Sequence, residues 1–122
     1  MILLDSNILI YSADPNNRLL KELIIQPNAY LSVISKVEIL GYHKLTKLDK
    51  HYFESCFSII PSLPITNPII EKAILIRQNN NIPLGDSLIA ATALIHHLQL
   101  VTRNISDFKN IHNLKLLNPF EK

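Results

Sequence analysis

Met1-Ile2-Leu3-Leu4-Asp5-Ser6-Asn7 opens the chain with a continuous apolar run that ends abruptly in a carboxylate. An apolar run without polar alternation reads as a short strand buried on both faces, the pattern of a parallel sheet. Ser6-Asn7 then turns the chain, and residues 8–11 either extend the strand or open a helix. The same pattern recurs further out. Residues 29–34 and 98–102 are apolar runs, 61–65 is a short extended segment between prolines, and 114–117 reads as a last edge strand. Between these runs the spacing is helical. Leu19, Leu20, Leu23 and Ile24 precede a stop at Pro27-Asn28, and Val37, Leu40 and Leu45 follow Lys36. A helix over 49–59 takes Asp49 as its cap. Another over 67–79 takes Asn67 as cap and Pro68 at its first position. A largely apolar helix over 87–97 follows the turn Pro83-Leu84-Gly85-Asp86. Residues 103–110 are a polar loop with room for one helical turn. Short strands alternating with helices predict an α/β domain, a mostly parallel sheet flanked by helices in three layers, α/β/α.

Composition agrees and excludes much else. The 122 residues make one domain, 1–122, with 48% hydrophobic and 18% charged residues, which is globular rather than disordered. Cys56 is the only cysteine, so no intrachain disulfide forms and a cysteine zinc site is disfavoured. A reducing, cytoplasmic setting fits. With two glycines, Gly41 and Gly85, the chain has no Gly-rich phosphate cradle. The uncharged runs 55–70 and 87–102 are shorter than the roughly 18 residues of a membrane span, and the apolar N-terminus has no basic flank. A net charge of +2 permits a nucleic-acid partner without demanding one.

Of ten acidic residues, four stand where a strand ends or the next helix begins: Asp5, Glu38, Asp86 and Asp107. In open parallel sheets ligands bind beyond the carboxyl ends of the strands, so these four are candidates for one edge. Apolar neighbours suggest that all four are partly buried. Each has a plain structural explanation: Asp5 a turn residue, Glu38 a capping-box partner of Ser35, Asp86 an N-cap, Asp107 an exposed loop residue. Caps do not explain a buried strand running straight into Asp5. Two carboxylates about 4 Å apart repel by about 4 kcal/mol at an effective dielectric of about 20, so four in one cleft need a cation. All-oxygen ligands favour Mg²⁺ or Mn²⁺, and such an ion on a carboxylate platform suits phosphodiester hydrolysis.

These residues resemble a known family. Leu3-Leu4-Asp5-Ser6-Asn7 is similar to the opening of PIN domains. The stretch 32–41 around Glu38 resembles their second acidic motif, 85–94 around Asp86 the third, and 101–108, from Val101 through Asn104 to Asp107, the fourth. The likeness spans residues 1 to about 117, and the short length resembles the VapC toxins of toxin–antitoxin pairs. It implies a parallel sheet flanked by helices and a Mg²⁺- or Mn²⁺-dependent endoribonuclease, commonly dimeric and neutralised by a cognate antitoxin. Asp5, Glu38, Asp86 and Asp107 take the catalytic and metal-binding positions. Ser6, Thr102 and Asn104 take supporting ones. Ser87 departs from the pattern, standing where alanine is more usual.

An RNA substrate must also be held. Arg103, between Thr102 and Asn104, is the basic residue singled out for a phosphate; Lys36, Lys44, Lys47 and Lys109 read as solvated surface. Tyr11 and Tyr42 are candidates for base stacking, and Phe108 for the core. His96 or His97 suits the end of its helix. Three other readings stand beside this one: a phosphoacceptor receiver domain, a non-enzymatic interaction module and a DNA-directed nuclease. The first needs adjacent acids after strand one and an acceptor Asp near 61–65, both missing from the sequence.

Overall fold

A computed structural model describes residues 1–121. Strand β1 (Ile2–Leu4) forms where the apolar run stands. Helix α1 (Ser6–Ser12) follows at once, because the Asp5 carboxylate accepts from Ser6 N and caps it, so residues 8–11 are helical. Then come α2 (Arg18–Ile24), β2 (Ala29–Ser32), α3 (Val33–Leu40), α4 (Lys47–Ile59) and β3 (Ser62–Leu63). The remainder is α5 (Asn67–Asn79), α6 (Leu84–Ile95), β4 (Gln99–Val101), α7 (Ile105–Phe108) and β5 (Leu116–Leu117).

The element ends differ from expectation where side chains choose the caps. Strand β2 stops at Ser32 because Ser32 Oγ accepts from Ile34 N and opens α3 there. The capping box expected at Ser35 and Glu38 does not form; both residues lie inside α3. Helix α4 is capped by Thr46, whose Oγ1 accepts from Asp49 N, so Asp49 stands in the first turn instead of before it. Its charge still favours that end of the helix. Thr66 takes the flanking position expected for Asn67, and Asp86 lies inside the first turn of α6.

All strand pairings are parallel, in the order β3-β2-β1-β4-β5. Ile2 to Leu4 pair with Gln99 to Val101 on one side, while Ile2 and Leu3 pair with Ala29 and Tyr30 on the other. The chain winds outward from β1 to β3 and returns to β1's other side with β4. The strand order therefore reverses between β1 and β4, and a crevice opens beyond their carboxyl ends.

Alternation along the strands builds two cores. Ile2, Leu4, Leu31 and Val101 pack with Ile8, Leu9, Ile39 and Phe53 of α1, α3 and α4. Leu3 and Leu100 face the opposite way, onto Ile69, Ala73, Ile89, Ala90 and Phe108 of α5, α6 and α7. Phe108 is fully enclosed, as expected. Among the described residues no helix is long and apolar enough to cross a membrane.

Candidate active site

The crevice between β1 and β4 holds Asp5. Its backbone N–H continues the sheet onto Val101 O at 2.9 Å. Both side-chain oxygens are engaged: Ser6 N donates to Oδ1 at 2.8 Å and Thr102 Oγ1 to Oδ2 at 2.7 Å. Thr102 is itself fixed, since Asn104 N donates to its Oγ1 at 3.0 Å. Asp5 is only 5% exposed, and burial raises its pKa despite these two donors; the charges of Glu38 and Asp107 raise it further.

Glu38 comes to the same place from α3. Ser6 Oγ lies 2.8 Å from Glu38 Oε1 and 2.8 Å from Ser35 Oγ. A hydroxyl has one proton, so Ser6 donates to the carboxylate and Ser35 donates to Ser6. The buried Ser35 thereby links α3 to α1. The far oxygen of Glu38 leans over α6: a Cβ at Gly85 would stand 2.8 Å from Glu38 Oε2. Gly85 has no positive φ to explain it, so the space above it is what the glycine supplies.

Asp86 is the next residue, half-buried on the first turn of α6. Its pKa is pushed up to about 6, first by burial and then by Asp5, Asp107 and Glu38. Asp107 arrives on α7, in its first turn. Glu38 and Asp107 thus lie near enough to act on both Asp5 and Asp86. Two are less buried than expected: Glu38 and Asp107 are exposed, lining the mouth rather than the floor.

Two acids whose pKa values are raised by burial first and by neighbouring carboxylates second are short of positive charge, and carboxylate oxygens suit a hard cation. Among the described residues no three His, Cys, Asp or Glu side chains converge closely enough to enclose an ion unaided. Oxygen donors spread in this way suit a hard divalent cation held partly through water. Asn7 Oδ1, on α1 two residues after Asp5, is buried without a donor.

Several residues escaped the sequence reading. Ser35 and Gly85 act only through contacts across the fold. Phe120 stacks on Arg103, whose guanidinium also lies over Tyr11. Tyr42 is exposed and meets His43 edge-on. Ser87 is buried, and its hydroxyl donates to Leu84 O at 2.6 Å, which satisfies the polar group in the alanine-like position.

Comparisons with known proteins bear on the family and the fold. The family model for the PIN domain matches residues 2–114. Ribonuclease VapC1 of Rickettsia felis is 34% identical, over 77% of this chain and 78% of its own length. A toxin–antitoxin complex from Klebsiella pneumoniae contains a chain 30% identical, with a TM-score of 0.81 and all of both chains covered. VapBC2 from Rickettsia felis, bound to a DNA fragment from its promoter, superposes with a TM-score of 0.84 over 97% of this chain and 98% of its own; at 24% identity that likeness speaks for the fold. With a matching family model over nearly its whole length and four acids on one edge of a parallel sheet, the chain belongs to the PIN-domain family.

Proposed function

We propose that the chain is the ribonuclease toxin of a toxin–antitoxin pair, a divalent-metal-dependent endoribonuclease that hydrolyses RNA phosphodiester bonds. The observation that carries this reading is the mutual charge of Asp5, Glu38, Asp86 and Asp107 at the β1/β4 crevice. Such an edge repels a phosphodiester unless a cation intervenes. The relatives named as ribonuclease and as toxin–antitoxin complex support RNA as substrate and a cognate antitoxin as partner.

Asp5, Asp86 and Asp107 would hold the cation, Mg²⁺ or Mn²⁺, with Glu38 beside them. When bound, the cation offsets phosphate charge and makes water at the site more acidic. Glu38, held by the Ser6 and Ser35 hydroxyls, is placed to take the proton of the attacking water. Thr102 and Ser6 keep Asp5 in one rotamer, and Asn104 keeps Thr102. Arg103 contributes a positive charge one residue from the Asp5 contact. The exposed apolar side chains of Val37, Leu48 and Ile59 suit a homodimer face. Activity in the cytoplasm follows from this role.

The test is incubation of cellular RNA with purified protein and Mg²⁺, Mn²⁺ or EDTA. Discrete fragments in the metal lanes alone are expected. RNA left intact in every lane contradicts the reading.

A further inference from the structure

Arg103 follows Thr102, the residue whose hydroxyl is bound to Asp5, so its side chain starts at the carboxylate edge. An arginine there would be expected to fall onto the acids and neutralise them. It lies instead over two aromatic rings. The guanidinium lies 4.9 Å over the ring of Tyr11 and 4.5 Å over that of Phe120. The two rings meet edge to face, 5.6 Å apart at 78°. Both distances are within the range of a cation–π contact.

The parts come from three elements. Tyr11 is on α1, Arg103 follows β4, and Phe120 sits in a turn beyond β5. That turn is tied down. Thr102 N donates to Leu117 O at 2.9 Å, and Phe120 N donates to Asn118 Oδ1 at 2.9 Å. A cation–π contact uses the charge of a guanidinium without consuming its N–H donors, the planar fork that grips a phosphate in bidentate fashion. Phe120 is 38% exposed and Tyr11 half-buried, so part of the aromatic surface stays open to solvent. Exposed rings beside an arginine are what unpaired bases stack on.

We propose that Arg103, Tyr11 and Phe120 form a holding site for an unpaired RNA nucleotide beside the carboxylates, Arg103 gripping the phosphate and Phe120 stacking on the base. Tyr11 positions Arg103 and keeps it off the acids. The site rests on the ribonuclease reading and names how the substrate is kept at an edge that otherwise repels it.

The test is fluorescence anisotropy with a labelled, unstructured RNA oligonucleotide in EDTA, which separates binding from cleavage. Arg103→Lys keeps the charge and loses the planar fork; Phe120→Ala loses the ring; Phe120→Tyr keeps it. The first two are expected to weaken binding about five-fold or more, with melting temperatures unchanged and Phe120→Tyr close to wild type. Wild-type affinity in both Arg103→Lys and Phe120→Ala overturns the proposal. So does a loss matched by a loss of folded protein. Variants that hold RNA normally but no longer hold a protein partner assign the stack to that partner instead. Wild-type protein that binds no RNA in EDTA yet cleaves it in Mg²⁺ overturns the holding site alone; protein that neither binds RNA nor cleaves it in Mg²⁺ sinks the ribonuclease reading, and the holding site with it.

Discussion

At the scale of single residues, Gly85 and Asp86 carry opposite lessons. Gly85→Ala adds a methyl 2.8 Å from Glu38 Oε2. The obstacle is the end of a flexible side chain, and alanine is favoured in a helix by about 0.5–1 kcal/mol. The variant should therefore melt no lower than wild type, yet cleave RNA about ten-fold more slowly because its Glu38 carboxylate is displaced. Adding Glu38→Asp, one methylene shorter, should restore part of the rate; full activity in Gly85→Ala alone would show that the carboxylate's position is immaterial. Asp86 is a matter of protons. Its pKa rises from 3.8 to about 6 on folding, so the folded state holds the proton more tightly than the unfolded chain. Metal-free protein should thus lose stability as pH rises from about 4 through about 6, and Mg²⁺ should offset the loss by favouring the ionised form. Melting curves across that window, with and without Mg²⁺, are expected to draw apart as pH rises. A separation that does not change with pH counts against Asp86 as a cation-holding group.

The elements show what a sequence reveals and what it conceals. The order of the strands and longer helices was legible because each strand is an uninterrupted apolar run and those helices repeat apolar residues at helical spacing; residues 8–11, helical in α1, fitted strand or helix equally. Leu3-Leu4-Asp5 announced both a buried strand and the acid at its end. The helix ends were less legible, because neighbouring capping residues compete and one hydrogen bond settles the choice. Thr46 beats Asp49 in this way. Thr46→Ala should cost about 1 kcal/mol of stability and leave cleavage per folded molecule unchanged, since α4 carries none of the four acids; denaturant titration beside a cleavage assay checks both. The resemblance named Ser6, Thr102 and Asn104 as supporting residues, but the partners they meet were not legible. Ser6 meets Ser35 across 29 residues and Thr102 meets Asp5 across 97. Phe120 reaches Arg103 only because β5 lies parallel beside β4. No local pattern marks any of these pairs.

For the whole molecule, topology is the cause and chemistry the consequence. A sheet whose strand order reverses between β1 and β4 must open a crevice at their carboxyl ends, and each crossover delivers a new element to that edge. Asp5 arrives on the first strand, Glu38 on the helix after the second, Asp86 at the start of α6 and Asp107 on the short helix after β4. Carboxylates spread along one edge leave it short of positive charge and suit it to a hard cation. The most direct measurement is sequencing of the new 5′ ends produced in cellular RNA by wild-type protein and by Asp5→Asn, side by side in Mg²⁺. Asp5→Asn keeps the shape of the side chain and removes one charge. Discrete ends made by wild type and missing with the folded variant are the expected result. The same ends at the same yield from Asp5→Asn would contradict the assignment of cleavage to the carboxylate edge.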